Sequence, residues 1–221
     1  CSSSIKAFAS ARSLIEAGIC DAAIVGGVDS LCAFASNGFY SLEALSEDIS
    51  NPFSKNRSGI SIGEGGAPFV VSRDNIDNDV EVMGIGETSD AYHMTSPRPD
   101  GKTARLAMQM AIDEAGINPN DIGYVSLHGT GTILNDSMES KAVYNIFGSH
   151  TLCSSFKPLI GHTLGTCGAV ETALCCLLLD EKLNKEHKIP PHPWDGVRDE
   201  ELSPINLAPE NSMRNLKCIL N

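Results

Sequence analysis

The second half of the chain alternates between strand-like and helix-like segments, and this alternation restricts the folds that it can adopt. Apolar spacing and glycine stops separate the two types of segment. In order, they are a strand in VEVMGIGE, a helix in KTARLAMQMAIDEAG that ends at Gly116, a strand in GYVSLHG, a helix from about Asp136 to Phe147, a strand in TLCSSF, a helix from Gly168 to Lys182, and strands in PINLAP and NLKCILN. Repeated units of this length predict an α/β fold with helices on the faces of a sheet.

The first half is less regular. A helix is predicted in CSSSIKAFASARSLIEAG, and strands are predicted in DAAIVGGVDS and APFVVSR, on either side of the loop-like NPFSKNRSGISIGEGG. The polar stretch DNIDNDV is the best candidate for an internal boundary. We therefore divide the chain into segments 1–75 and 80–221.

Charge and cysteine pattern exclude several classes of protein. A formal net charge of −12 disfavours nucleic acid and anionic membrane as partners, because both reward clustered Lys and Arg. The eight cysteines form no Cys-x-x-Cys pair, so we expect no metal site and mostly buried thiols in a reducing compartment. The longest apolar run, about 168–179, is too short to span a bilayer. A cytoplasmic protein without a signal peptide is expected.

Three stretches carry polar residues where burial is expected. Cys1 directly precedes a helix start, where the helix dipole favours a thiolate, although position alone favours a residue that merely happens to be first. His128 ends a strand in VSLHGTGT, where Thr130 and Thr132 present hydroxyl groups; alone, it would be interpreted as a structural histidine. His162 lies between glycines in FKPLIGHTLGTCGAVE.

Two charged residues accompany the second histidine. Lys157 precedes it by five residues, and Glu171 follows it by nine, in what we predict to be the first turn of a helix that is apolar nearly all round and therefore buried. A thiolate can accept an acyl group, and two imidazoles can donate hydrogen bonds to a thioester carbonyl. Asp136 and Glu139 in NDSMES are instead interpreted as a helix N-cap with its capping box.

The blocks CSSSIKAFASARSLIEAGICDAAIVGGVDS, GEGGAPFVV, SDAYHMTSP, LHGTGTILNDSMESKAV and SFKPLIGHTLGTCGAVE together resemble the β-ketoacyl-acyl-carrier-protein synthases, in order along essentially the whole chain. The resemblance implies a thiolase-like layered fold (α-β-α-β-α). It also implies condensation of a cysteine-bound acyl group with a malonyl thioester in chain elongation. VDSLCAF and NPFSKNRSGISIGEG are more similar to synthases of bacterial polyene or other specialised clusters than to housekeeping members.

Residue roles follow from the same resemblance. Cys1 matches the acyl-accepting nucleophile, and His128 and His162 match the pair that polarises the malonyl thioester and stabilises the enolate. Lys157 matches the lysine that organises the loop of the second histidine, and Glu171 matches the buried glutamate beside it. The threonines that hold the phosphopantetheine arm of the carrier match Thr130 and Thr132.

The resemblance further implies acyl carrier protein as partner, a homodimer in the full-length protein, and no cofactor other than the carrier's phosphopantetheine. Members of the family carry strands before the nucleophile and a Gly-Phe-Gly-Gly loop after the last strand. This sequence begins at the nucleophile and ends at CILN. We therefore expect a fold incomplete at both ends, and a separate piece that is inactive or poorly folded.

Three other interpretations remain. A thiolase would use a second catalytic cysteine near the C-terminus, for which Cys218 is the candidate. A non-catalytic partner similar to chain-length factors would typically lack the cysteine. A nucleotide-binding module is suggested by VGGVDS, GIGE and GTGT, but none of these forms a complete Gly-x-Gly-x-x-Gly loop.

Overall fold

The computed structural model describes residues 1–74 and 80–221. The predicted boundary in DNIDNDV falls largely on residues 75–79, outside the described ones. The helices are α1 (Ser3–Glu16), α2 (Ala33–Ser41), α3 (Lys102–Ala115), α4 (Ile133–Phe147), α5 (Lys157–Ile160) and α6 (Cys167–Leu179). The strands are β1 (Ala22–Asp29), β2 (Gly65–Ser72), β3 (Tyr124–Ser126), β4 (Leu152–Ser154), β5 (Asn206–Leu207) and β6 (Ile219–Leu220).

The strands form two sheets. β1 and β2 pair antiparallel, with Ala22 opposite Ser72 and Asp29 opposite Gly65. The other sheet is parallel, in the order β5-β4-β3-β6. Parallel neighbours require crossover connections, which α4 supplies between β3 and β4. The α/β class predicted from the alternating segments is confirmed.

Side chains on β3 alternate between the two faces of the parallel sheet. Val125 packs with Ile112 of α3 and Val143 of α4 in one apolar cluster. Tyr124 points to the opposite face and packs with Ile189 in a second cluster. Both faces of this sheet are therefore covered, which explains why its strands are apolar on both sides.

The strand predicted in VEVMGIGE is wrong, because residues 80–87 form no regular element. This segment lies directly on the backbone of α3. A Cβ at Gly84 would be 2.1 Å from the carbonyl oxygen of Ala111, and one at Gly86 would be 1.8 Å from that of Ala107. The glycines thus serve a close approach to a helix, and none of the described strands pairs with the segment.

The predicted end of one helix is correct, and that of another lies too far along the chain. α3 ends as predicted, with Gly116 at a φ of 67° in the left-handed region that glycine favours. α6 ends at Leu179, three residues before the predicted end, because Asp180 is extended. Its first turn is buried, but Leu177 is 50% exposed, so the predicted burial holds only for the N-terminal part. None of the helices in the described part of the chain is long and apolar enough to cross a membrane.

Candidate active site

Two neighbouring strands of the parallel sheet deliver the first histidine and the lysine. β3 and β4 run parallel, so their carboxyl ends meet at one edge of the sheet. His128 follows the end of β3, and Lys157 follows the end of β4. The Nζ atom of Lys157 is 3.3 Å from Nδ1 of His128. Because an ammonium group only donates, His128 accepts at Nδ1 and carries its proton on Nε2.

The second histidine is held by a close crossing of two loops. The backbone N–H of His162 donates to the carbonyl of Ser61 (2.7 Å), and its carbonyl accepts from the N–H of Gly63 (3.0 Å). A Cβ at Gly63 would be 2.3 Å from the carbonyl oxygen of Ile160, and Gly161 has a φ of 72°. Glycine is therefore required on both sides of the crossing, which fixes His162 at 2% exposure.

The nucleophile candidate reaches this loop through the packing of α1 on α6. The hydroxyl group of Ser4 accepts from the N–H of Ala169 (3.0 Å). A Cβ at Gly168 would be 2.3 Å from the side chain of Ile5, so glycine there lets the two helix starts approach. Cys1 is thereby placed with its Sγ 2.9 Å from Nε2 of His162.

The two imidazoles face each other beside the thiol. Their ring centroids are 5.2 Å apart and their planes are 85° apart. One donor atom each of Cys1, His128 and His162 lies within 4.8 Å of the others. This set can present a thiol to an acyl group, and two ring nitrogens to one carbonyl oxygen.

The charged pair beneath the histidines is fully enclosed. Nζ of Lys157 is 2.6 Å from Oε1 of Glu171, and their side chains are 1% and 6% exposed. The structure corrects one detail of the prediction, because Glu171 lies one residue beyond the first turn of α6. The side chain of Lys157 contacts His128, while its backbone carbonyl accepts from the N–H of Gly161 in the loop before His162.

The predicted threonines lie in the loop between His128 and α4. Their Oγ1 atoms are 2.9 Å apart, so Thr130 and Thr132 share a hydrogen bond. Thr130 is 6% exposed, whereas Thr132 is half-buried and directly precedes Ile133, the first residue of α4. Thr132 therefore presents more of its surface to an incoming group than Thr130.

The capping box predicted for Asp136 and Glu139 is wrong. α4 begins at Ile133, three residues before the expected start, so both carboxylates lie inside the helix. A spacing of three residues places them on one helical face, where they are 0% and 5% exposed. The sequence signal of an acidic pair was present, but it was assigned to the wrong function.

These two carboxylates fix the loop that carries the first histidine. Glu139 accepts hydrogen bonds from the backbone N–H groups of His128 (2.6 Å) and Gly129 (2.8 Å). Asp136 accepts from the backbone N–H of Phe53 (2.8 Å) in the loop before β2. The position of His128 thus depends on buried carboxyl groups that accept backbone hydrogen bonds.

Burial and the lysine charge keep both histidines neutral. Burial, and after it the positive charge of Lys157, together lower the pKa of His162 to about 3. The same two causes lower the pKa of His128 well below its usual range. Burial is the largest single effect on Lys157 and disfavours its ammonium, but the charges of Glu171 and Cys167 and the hydrogen bonds to them together outweigh it and raise the pKa of Lys157. Neutral imidazoles above a paired lysine are suited to donate hydrogen bonds.

The pH dependence of stability tests this arrangement. An unfolded histidine binds a proton near pH 6.5, but His162 binds one only near pH 3, so its stabilisation is complete above pH 6.5 and is lost as the pH falls between these values. His162→Gln should make the fall in unfolding free energy between pH 6 and 4 shallower by about 1.4 kcal/mol per pH unit. Urea unfolding across this range measures it, with exposed His150→Gln as the matched control. Equal slopes for wild type and His162→Gln would contradict the assignment.

One group of side chains beside the histidines has the spacing of metal ligands. His128, Cys167 and Glu171 also have donor atoms within 4.8 Å of one another. Lys157, however, already contacts both His128 and Glu171, and its positive charge opposes a cation there.

Cys218, the candidate second cysteine of a thiolase, packs against the apolar cluster that contains Val125.

An α/β chain that presents a thiol to two neutral imidazoles has groups suited to thioester chemistry at the thiol. Residues 1–75 match the N-terminal domain of Beta-ketoacyl synthase and residues 80–191 match its C-terminal domain. The chain therefore belongs to the β-ketoacyl synthase family.

Curated relatives agree with this family. The chain is 34% identical over 212 residues to 3-oxoacyl-[acyl-carrier-protein] synthase 2 of Staphylococcus aureus, covering 87% of this chain and 52% of that protein. It is 33% identical over 191 residues to Nodulation protein E of Rhizobium sp. (strain N33), covering 82% and 47%. The chain thus spans about half the length of these relatives.

Solved structures show the same fold. A ketosynthase in complex with its chain length factor, from Xenorhabdus doucetiae, is similar with a TM-score of 0.90 and 43% identity, covering 98% of this chain and 53% of that chain. A beta-ketoacyl synthase from Burkholderia phymatum STM815 is similar with a TM-score of 0.88 and 30% identity, covering 98% and 55%. The fold is the thiolase-like layered fold of ketosynthases, as the sequence blocks implied.

Proposed function

We propose that the chain carries the catalytic residues of a 3-oxoacyl-[acyl-carrier-protein] synthase. The observation that carries the proposal is the contact between Sγ of Cys1 and Nε2 of His162 (2.9 Å), with the ring of His128 perpendicular beside it. Family membership supplies the reaction class. Because the chain spans about half of its relatives, activity, substrates and partners belong to the proposal.

The first half-reaction transfers the acyl group to the thiol. The Cys1 thiolate attacks the carbonyl carbon of an acyl thioester, a new S–C bond forms, and the bond to the carrier's sulfur breaks. The carrier leaves as a thiol with the proton that Cys1 gave up. An Nε2–H of His162 that donates to the Cys1 sulfur favours the thiolate and orients it for this attack.

The second half-reaction forms the carbon–carbon bond. Nε2–H groups of His128 and His162 donate to the carbonyl oxygen of a malonyl thioester, where negative charge develops as the bond to the carboxylate breaks and carbon dioxide leaves. The resulting enolate carbon attacks the Cys1 thioester. A C–C bond forms, the S–C bond breaks, and Cys1 is released as a thiolate.

The remaining site residues support these steps. Lys157 donates to Nδ1 of His128, which keeps the proton on Nε2, and Glu171 balances the buried charge of the lysine. Thr130 and Thr132 hold the phosphopantetheine arm of the carrier. No resident cofactor enters this chemistry, because the substrates arrive on that arm.

Acyl carrier protein is the proposed partner, together with a second synthase-like subunit. The segments 1–75 and 80–221 are proposed as the two halves of the fold. Ile24 and Val28 on β1, and Val70 on β2, are 75–82% exposed, which is consistent with a covering subunit. A homodimer in the cytoplasm is the simplest form.

The higher identity to a ketosynthase complex with a chain length factor (43%) than to the Staphylococcus enzyme (34%) supports the specialised subgroup.

Intact-protein mass spectrometry tests the proposal. The natural protein, mixed with an acyl-acyl-carrier-protein thioester, should gain one acyl mass that maps to Cys1, and added malonyl-acyl-carrier-protein should discharge it as a 3-oxoacyl thioester. Cys1→Ala should gain no acyl mass, whereas Cys32→Ala, which removes another exposed thiol, should behave as wild type. Product formation by Cys1→Ala at the wild-type rate would instead identify a non-catalytic partner.

A further inference from the structure

His192 is a buried histidine that lies one residue beyond the matched domain segment 80–191. It is 5% exposed, and both of its ring nitrogens are engaged. Nε2 is 2.9 Å from the carbonyl oxygen of Pro52, and Nδ1 is 3.2 Å from the backbone nitrogen of Ser155. A carbonyl only accepts and a backbone N–H only donates, so the ring has one tautomer, with its proton on Nε2.

Ser155 connects this ring to the candidate catalytic loops. It is 0% exposed, its hydroxyl donates to the carbonyl of Gly129 (3.0 Å), and the same oxygen accepts from the N–H of Lys157 (3.3 Å). A Cβ at Gly129 would be 2.6 Å from Cβ of Ser155, so the two loops are in direct contact. Gly129 adjoins His128. A shift of Ser155 would therefore move both His128 and the lysine that fixes its tautomer.

The other end of the ring holds the loop before β2. Pro52 precedes Phe53, whose backbone N–H binds Asp136 beneath the His128 loop, and the Phe53 and His192 rings are 5.8 Å apart. His192 thus joins segments from both family domains behind the site. It contacts neither Cys1 nor the rings of His128 and His162 in any described hydrogen bond.

We infer that His192 is a positioning residue, which acts through Ser155 to set the place of His128 and Lys157 for malonyl decarboxylation. The inference rests on the proposed function. It separates the two half-reactions, because the bond to Ser155 leads to His128 and Lys157, whereas Cys1 and His162 are held by the Ser4–Ala169 bond and by backbone bonds to Ser61 and Gly63, none of which involves the His192 ring. Loss of the ring should therefore slow decarboxylation and spare acyl transfer.

Asparagine and glutamine at position 192 each reproduce one of the two hydrogen bonds of the His192 ring. The Oδ1 atom of asparagine takes the place of Nδ1 and can accept from Ser155, whereas the Nε2 atom of glutamine takes the place of the ring Nε2 and can donate to Pro52. In the natural protein, His192→Ala and His192→Gln should lower kcat for malonyl-acyl-carrier-protein decarboxylation by roughly 10- to 100-fold, the range expected for misplaced catalytic groups. His192→Asn should recover most of the rate. Acylation of Cys1 should stay within about twofold of wild type in all three.

The controls separate this inference from the proposed function. His150→Asn changes an exposed histidine and should match wild type. Equal rates for wild type and His192→Ala, equal losses in the Asn and Gln variants, or parallel losses in both half-reactions would each overturn the positioning role. Wild-type protein that neither accepts an acyl group nor decarboxylates malonyl-acyl-carrier-protein would overturn the proposed function itself.

Discussion

Replacing His128 by alanine should lower the rate of malonyl-acyl-carrier-protein decarboxylation by about 10²- to 10³-fold, the cost of removing one donor to a developing oxyanion. Its Nε2–H is the donor that remains available, because Lys157 occupies Nδ1. Burial lowers the pKa of His128 well below its usual range, so the ring stays neutral and Nδ1 continues to accept from Lys157. The rate is measured as carbon dioxide release with no acyl group on Cys1.

The same variant should still accept an acyl group on Cys1. Among the described hydrogen bonds, the thiol's imidazole partner is His162, at 2.9 Å, and not His128. Acyl transfer followed by mass spectrometry should therefore remain within about threefold of wild type, since no group that contacts the thiol has been removed. His150→Ala, at an exposed position, is the matched control. Undiminished decarboxylation by His128→Ala would remove this histidine from the mechanism.

The sequence predicted the parts of the site that depend on local pattern. Gly116 predicts the left-handed turn in which many helices end, and the structure has it there. His128 and Lys157 follow neighbouring parallel strands, so alternation alone indicates that they meet at one sheet edge. The blocks around them are specific enough to indicate the family.

The parts that sequence reasoning missed depend on contacts far apart in the chain. Glu139 has the spacing of a capping box with Asp136, but its partners are the amides of the strand-end loop, which only the fold brings near. His192 is recognisable only once Pro52 and Ser155 lie on either side of it. Neither partner has a sequence signal that points to a histidine 37 or 140 residues away.

The tautomer of His128 illustrates why such contacts matter for function. The resemblance assigned Lys157 to the loop of the second histidine, and the structure also places its Nζ at Nδ1 of the first. A lysine that only organised a loop could be replaced by another hydrogen-bond donor. A lysine that sets the proton position on the ring of His128 must carry a positive charge, and Glu171 stabilises that charge.

Replacing Lys157 by methionine should therefore destabilise the protein by about 3–5 kcal/mol, since it leaves the carboxylate of Glu171 buried without a partner. Side-chain exposures of 1% and 6% leave little access for water to compensate. Urea unfolding, followed by the fluorescence of Trp194, the only tryptophan, measures the free energy. The double variant Lys157→Met, Glu171→Gln should recover much of the lost unfolding free energy, because it also removes the carboxylate charge that the single variant leaves unpaired.

An exposed ion pair provides the matched control for this cycle. Lys188 and Glu186 also form a salt bridge, but their side chains are 65% and 68% exposed. Lys188→Met should therefore cost less than about 1 kcal/mol. The prediction would be wrong if Lys157→Met also cost less than about 1 kcal/mol of unfolding free energy, or if the double variant were no more stable than the single one. Either result would mean that removing the lysine does not leave Glu171 as an unpaired buried charge. The double variant should remain inactive in decarboxylation even when its stability returns, because His128 has lost the donor that fixes its tautomer.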